Sequence, residues 1–600
     1  MPESEQPESA PSGGGPPSLS DSARLVLGRR YLQRDDSMRI VETPDELFRR
    51  VATSVAQAES SHGATPEALA NDAYALMSEL EFLPNSPTLM NAGTESQQLA
   101  ACFVLPVEDS LTDIFDTLKY AALIHQSGGG TGFAFSHLRP ANDIVHSTHG
   151  VASGPVSFMH VFDAATDAIK QGGKRRGANM AILRVDHPDI DAFIQAKAEK
   201  DALKNFNLSV AVTDAFMEAV ETGADYDLIN PRTGEAIATR PAAQTFDLLV
   251  QGAWATGDPG VVFSDRINAD NPTPALGPIE STNPCGEQPL LPHESCTLGS
   301  INVSRFVAGA GTLEEPATEL DWERLGSTID TAVQFLDDVI DANHYPSERI
   351  ADVTRSTRKI GLGVMGFADL LYRLRLPYDS QEALDCADGL MRFVAERANQ
   401  ASARLGRERG TFLAWPESIY APDGPTFRNA TRTTIAPTGT LSIIASCSSG
   451  VEPIFALAFI RRHYLDEDDP SALTELTEVN PIFRAIATAQ GWWSDDLQAA
   501  LLHGGSLGER SDAPADAKRV FVTAHDIAPE WHVRMQATFQ RHVDNAVSKT
   551  INFPRDASAD EIAQAYRLAW REGCKGITVY RDRSQPNQVL SRRESELDLG

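Results

Sequence analysis

The segment Asn283-Pro284-Cys285-Gly286-Glu287 constrains this chain more than any other, because it crowds an amide, a thiol and a carboxylate around one proline. A residue before proline is driven out of the helical region into extended backbone, and in extended backbone residues two apart project to one side. Asn283, Cys285 and Glu287 are therefore expected to face one partner. They offer it a hydrogen-bonding amide, a thiol able to carry a radical and a carboxylate able to take a hydroxyl proton, a set suited to the vicinal hydroxyls of a ribose. Each has a blander reading on its own: Cys285 as a buried structural thiol, Glu287 as a solvated loop carboxylate, Asn283 as the start of an Asx-Pro turn.

With 600 residues, 42% of them hydrophobic, the chain can bury several domain-sized cores. No run approaches the ~18 to 20 apolar residues of a membrane span. The acidic start MPESEQPESAPSGGGPPSLSDS lacks the basic and apolar parts of a signal peptide. A cytoplasmic protein without a membrane is expected. A net charge of −31 and a pI near 4.8 exclude nonspecific binding to nucleic acid, so anionic ligands must be met at local basic or amide-rich sites. The acidity fits a high-salt habitat and composition bias equally well. Six cysteines without a CxxC pair write neither a disulfide framework nor a four-cysteine zinc module, and no metal site is read.

Residues 1–22, rich in Pro, Ser, Gly and Glu, read as a disordered tail. Thr43 as N-cap, Pro44 at the first helical position and Asp45-Glu46 in the first turn open a helix, within a helical region over 23–84. From residue 85 to 585, β-like runs such as ACFVLP, GFAFSHL and NMAILRV alternate with helical stretches at 111–126 and 157–170, the pattern of an α/β core. The acidic stretch 465–520 reads as a peripheral helical part, and 586–600 as a C-terminal tail.

NPCGEQPLLPHESCTLGSINVSRF (283–306) resembles the active-site signature of ribonucleotide reductase catalytic chains, in the form of the adenosylcobalamin-dependent class II enzymes. NSPTLMNAGT, AACFVLPVEDSLTDIF, SGGGTGFAFSHLRP, GGKRRGANMA, RKIGLGVMGF, APTGTLSIIA and GCKGITVYRD add ordered matches from Asn85 to Asp582. The resemblance implies a ten-stranded α/β barrel with a central finger loop. It makes Cys285 the thiyl that removes the 3′ hydrogen, Glu287 the base on the 3′ hydroxyl and Asn283 the holder of the ribose hydroxyls. Cys102 and Cys296 become the redox pair that ends as a disulfide, which requires Cα atoms within ~7 Å.

By the same resemblance, Ser86, Ala101 and Gly130 match substrate-contacting positions, and Pro437, Thr438, Gly439, Thr440 and Leu441 match the segment that takes the substrate's phosphates. Backbone amides at such a strand-to-helix turn form an anion cradle. Lys174, Arg175 and Arg176 resemble a specificity loop, and Asp109, Ser110 and Arg139 match positions that hold an effector at a dimer interface. The implied cofactor is adenosylcobalamin. The implied partners are ribonucleoside diphosphates, dNTP and ATP effectors, a second copy of the chain, and thioredoxin or another dithiol.

Departures sharpen the assignment. Val579 precedes Tyr580 where class I enzymes carry two adjacent tyrosines. There is no DxHxxG segment, no glycyl-radical segment, no ATP-cone and no terminal cysteine pair, so a separate C-terminal polypeptide is one expected source of reducing thiols. A class I large subunit needing a radical-generating partner, or a non-catalytic nucleotide-binding homologue, are the other readings. Retention of Cys102, Asn283, Cys285, Glu287 and Cys296 together weighs against the second.

Overall fold

Local sequence sets the first helices of the computed structural model, which describes residues 18–145, 150–169, 177–199, 201–309, 312–466, 469–582, 584 and 590–591. Thr43 and Glu46 form a reciprocal capping box at the start of the helix Pro44–Ala56. Its buried stripe of Leu47, Phe48, Val51 and Val55 packs on the helices Pro66–Ser78 and Trp322–Ala342. An earlier helix, Asp21–Arg30, is capped by Ser20 and so begins inside the segment read as a tail. Residues 1–17 of that segment lie outside the described residues.

Strands Cys102–Pro106, Gly130–Ala134, Asn179–Arg184, Phe206–Val212 and Gly260–Phe263 pair side by side, all parallel. A second parallel set starts with Glu294–Asn302 beside Ile360–Met365 and ends with Thr550–Phe553 beside Gly576–Arg581. Between those pairs runs segment 431–435, bridged to Leu362 through Thr433 and to Val547 through Ile435. The two sets meet antiparallel twice, where Glu294–Cys296 lies against Cys102–Val104 and where Val261 and Val262 lie against Gly576 and Ile577. The sheet thereby closes into the expected barrel of two five-stranded halves, with Phe82–Pro84 added outside on Gly299–Ile301.

Strands covered on both faces read as near-continuous apolar runs, and each half has its own packing. Phe133, Phe162, Phe206 and Phe246 fill the space between the first half and its helices. Phe82, Phe335 and Leu336 do so between the second half and the N-terminal helices. The interior holds a smaller cluster of Ala101, Cys102, Val104, Leu290, Cys296, Leu298 and Ala436. Into this space projects a hairpin, Ser281–Thr282 paired antiparallel with Pro289–Leu290.

The stretch 465–520 differs in part from its helical reading. Strands Ala458–Asp466 and Asp469–Val479 pair antiparallel before the helices Pro481–Ala489, Asp495–Leu502 and Ala515–Val520 begin. The run LTELTEV has no two-residue alternation, its Leu and Val recurring every third residue, but its β-branched Thr474, Thr477 and Val479 favour extended backbone over helix. Among the described residues, no helix is long and apolar enough to cross a membrane.

A buried charge network ties the N-terminal helices to the barrel. Arg358 pairs with Asp337 at 2.8 Å, and Arg409 joins Asp338 at 2.7 Å to Glu59. Burial, with the Glu59 carboxyl close by, pushes the Asp338 carboxyl up to about 9. Unfolded, this group titrates near ~3.9, so between those pH values the native state holds a proton that the unfolded chain has lost. The stability this group contributes is therefore full at acid pH and is lost as pH rises towards 9. Asp338→Asn, neutral at every pH, should flatten the fall in urea midpoint between about pH 5 and pH 8.5; an unchanged slope would contradict the raised carboxyl.

Candidate active site

The extended alternation expected for 283–287 does not form. The Gly286 N–H donates to the Asn283 carbonyl at 3.0 Å, Asn283 N–H to the Gln288 carbonyl at 3.1 Å, and Gln288 N–H to Asn283 Oδ1 at 3.0 Å. Pro284 does keep Asn283 out of helix, but Gly286, at φ +81°, reverses the chain two residues later in a conformation open to glycine. The three side chains therefore leave a tight turn. Asn283 and Glu287 are each 2% exposed, whereas Cys285 stands exposed at the tip.

The hairpin is held by backbone contacts from strands on both sides. The Pro284 carbonyl accepts from the Asn207 amide at 2.8 Å, and the Glu287 carbonyl accepts from the Thr434 hydroxyl at 2.9 Å and the Ala546 N–H at 3.0 Å. Two glycines leave room for it. A Cβ on Gly130 would lie 3.0 Å from Pro284, and one on Gly132 would lie 1.7 Å from the Thr282 carbonyl oxygen.

Beside the turn, Cys296 is the register partner of Cys102 across the antiparallel seam. Residues directly opposite on such strands have Cα atoms ~4.5 to 5.5 Å apart, within disulfide reach. Both thiols are free and buried. The Asn283 amide donates to Cys102 Sγ at 3.1 Å, so the hairpin touches the pair directly. Burial pushes the Cys102 thiol well up, and the Glu287 carboxylate adds to the effect; burial does the same to Cys296, with Glu294 raising it further. Both sulfurs thus keep their hydrogens at neutral pH.

Ala101 and Gly130 join this centre: the Ala101 N–H donates to the Cys296 carbonyl at 3.3 Å and the Gly130 N–H to the Ala101 carbonyl at 2.8 Å. Ala436 packs on the same cysteines, which places Pro437, Thr438, Gly439, Thr440 and Leu441 immediately beyond them. Thr438 sits at φ +50°, its hydroxyl accepting from the Gly450 N–H at 2.7 Å, and Leu441 starts the short helix Leu441–Ala445. Ser86 begins the helix Ser86–Asn91 and shares a hydrogen bond with the Tyr31 hydroxyl at 2.8 Å. Cys386, Cys447 and Cys574 belong to other packing clusters.

Asp109, Ser110 and Arg139 form a separate corner. Arg139 Nε donates to Asp109 at 2.8 Å, and Ser110 caps the helix Leu111–Gln126. Lys174, Arg175 and Arg176 lie outside the described residues. The supporting residues Asn207, Thr434, Ala546 and Gly132 escape sequence reasoning. Only the glycine-rich GGGTG hinted at Gly132, and a lone Asn in a strand gives no signal.

The family model described as the ribonucleotide reductase barrel domain matches residues 100–425 and 423–580, and the one described as the ribonucleotide reductase all-alpha domain matches 17–97. A vitamin B12-dependent ribonucleoside-diphosphate reductase of Thermoplasma acidophilum is 49% identical over 96% of this chain and 81% of its own length. One from Mycobacterium tuberculosis is 50% identical with the same coverage. Among solved structures, the α subunit of a class Id ribonucleotide reductase from Actinobacillus ureae superposes with a TM-score of 0.77 at 24% identity, over 95% of this chain and 99% of that one.

The geometry predicts thiol reactivity. Iodoacetamide near pH 8 should label Cys285 at least about tenfold faster than Cys102 or Cys296, since labelling follows exposure and thiolate content. Gly132→Ala should erase that order by unseating the hairpin. Peptide mapping of the labelled protein checks both, and preferential labelling of the buried pair in the unaltered chain would contradict the arrangement.

Proposed function

The chain belongs to the ribonucleotide reductase family, and we propose that it reduces ribonucleoside diphosphates to deoxyribonucleotides for DNA synthesis with adenosylcobalamin as its radical source. The observation that carries this reading is the meeting of an exposed thiol on the hairpin tip with two buried, protonated thiols opposed across the seam. Adenosylcobalamin, when bound, supplies a carbon radical by homolysis of its cobalt–carbon bond, able to take the Cys285 hydrogen atom. The exposure of Cys285 fits a bulky cofactor lying over the hairpin tip. Val579 is buried against the helix layer, so no second ring extends Tyr580 towards Cys285, and a separate radical-generating subunit is not favoured.

In the proposed sequence, Cys285 as a thiyl removes the 3′ hydrogen while Asn283 holds the ribose hydroxyls and Glu287 takes the 3′ hydroxyl proton. The 2′ hydroxyl leaves as water. Cys102 and Cys296 together give up two electrons and two hydrogens, one to the leaving water and one to the 2′ carbon, as their sulfur–sulfur bond forms; Glu287 returns its proton to the 3′ oxygen, and the 3′ hydrogen returns from Cys285. High proton affinity suits this pair, because its hydrogens are retained until a substrate draws on them. Ser86, Ala101, Gly130 and the turn at Pro437–Leu441 are the proposed substrate contacts, the turn taking the diphosphate. A dithiol such as thioredoxin then reopens the disulfide. A reducing cytoplasm would keep the six cysteines as thiols between turnovers.

Asp109, Ser110 and Arg139, with Lys174, Arg175 and Arg176, are the proposed effector contacts. The helix they adjoin exposes Leu111, Phe115 and Leu123, and the neighbouring helix Pro155–Ala168 exposes Val161. An apolar face shared by two helices supports a homodimer.

Purified protein with adenosylcobalamin, a ribonucleoside diphosphate and dithiothreitol should form deoxynucleotide without any second subunit. Activity that requires an added iron or manganese protein, and ignores cobalamin, would defeat the assignment. Cys285→Ser should abolish turnover in a folded protein, whereas Cys296→Ser should start the radical reaction and release free base. Effector exchange should shift substrate preference about 5- to 150-fold, the usual span of allosteric coupling; identical preferences with every effector would remove the regulatory corner.

A further inference from the structure

Cys296 stands where its strand changes partners. Residues Glu294–Cys296 pair with Cys102–Val104, and from Thr297 onward the same strand pairs in parallel with Ile360–Met365. The sulfur of Cys296 must stay aimed at Cys102 while its strand passes from one neighbour to the other. Glu294 lies two residues earlier, on the same face of the strand as Cys296.

Three segments converge on the Glu294 carboxylate. Lys359 Nζ donates to Oε2 at 2.8 Å, the Leu291 N–H to Oε2 at 2.7 Å, and the Thr357 hydroxyl to Oε1 at 2.5 Å. Leu291 directly follows the return strand of the hairpin, Thr357 ends the helix Glu348–Thr357, and Lys359 immediately precedes the strand Ile360–Met365. Lys359 also reaches the thiol itself, since the Cys296 S–H donates to the Lys359 carbonyl at 3.4 Å. The side chains of Glu294 and Lys359 are both fully buried.

An ion pair so placed is poorly explained by stability. Removing two charges from water costs several kcal/mol per ion, and neutral groups of similar volume often serve the fold equally well or better. Its contacts instead tie together the hairpin that carries Cys285, the strand that carries Cys296 and the strand behind it. We propose that Glu294 and Lys359 are positioning residues for the redox pair, fixing Cys296 so that its sulfur meets Cys102. The proposal rests on the reading of Cys102 and Cys296 as the reductant of the ribose. The charged groups around Cys296 are Glu294, Lys359 and Glu287, with Lys575 beyond Lys359.

The test uses the full chain and the double variant Glu294→Gln/Lys359→Met, which is expected to fold because it leaves no charge unpaired. Diamide, which accepts the two electrons and two protons released as the sulfur–sulfur bond forms, is added to reduced protein without cofactor. Peptide mapping then times the Cys102–Cys296 link. A misplacement near 1 Å costs about 100-fold in a reaction between oriented groups, so the variant should cross-link about 10- to 100-fold more slowly than wild type. Its Tm and its rate of Cys285 alkylation should be unchanged. In a single turnover with adenosylcobalamin, free base should accompany deoxynucleotide.

Cross-linking at the wild-type rate would overturn the proposal, as would a slowing matched by a fallen Tm and altered Cys285 labelling, which marks a merely structural pair. A wild-type protein that never links Cys102 to Cys296 would overturn the redox reading itself, and the positioning role with it.

Discussion

The centre of this molecule depends on one antiparallel contact, the pairing of Cys296 with Cys102 where the two parallel half-barrels meet. Side chains alternate along a strand, so a slip of one residue at the seam would turn one sulfur outward into the helix layer. The register is fixed from several sides. Phe82–Pro84 pairs with the far end of the same strand, Ile360–Met365 runs beside it, and the Cys296 carbonyl holds the Ala101 N–H. The hairpin then needs only to reach this fixed pair, which it does through Asn283.

The two kinds of thiol are held in different ways. Cys102 and Cys296 sit in a closed sheet whose neighbours are mostly apolar. Cys285 rides on a turn fixed by three backbone carbonyl contacts, those of Pro284 with Asn207 and of Glu287 with Thr434 and Ala546. Those contacts use main-chain acceptors and engage neither carboxylate nor thiol, while the Asn283 side chain both closes the turn on Gln288 and reaches Cys102. Burial of the pair and exposure of the tip follow from one topology, since the hairpin enters the barrel, sets Asn283 on the pair and leaves Cys285 uncovered at its tip.

Local chemistry made parts of this legible. Thr43-Pro44-Asp45-Glu46 specifies its helix start almost alone, and the alternation of ACFVLP and NMAILRV with helical stretches fits the parallel strands found. The motif residues Cys102, Asn283, Cys285, Glu287 and Cys296 do come together. The extended alternation read for 283–287 fails because Asn283, the residue before the proline, is closed back on Gly286 and Gln288, which is nearer to the Asx-Pro turn that is its plainer reading. Segment 431–435 is held by backbone hydrogen bonds to Ile360 and Leu362 on one side and to 545–548 on the other, partners far away in sequence, so no local period marks its place in the barrel. Glu294 and Lys359 look like ordinary polar neighbours until the fold brings them face to face.

Gly132 carries a consequence of another kind. The atom its missing Cβ would strike is the main-chain oxygen of Thr282, a group that every amino acid possesses. No exchange of side chain at position 282 can relieve the clash. Mutational tolerance across this contact is one-sided: drift at 282 leaves the close approach intact, while drift at 132 can be met only by a shift of the main chain itself. A lineage could therefore lose the seat of its radical loop through a single added methyl group, with no exchange of the facing side chain able to restore it.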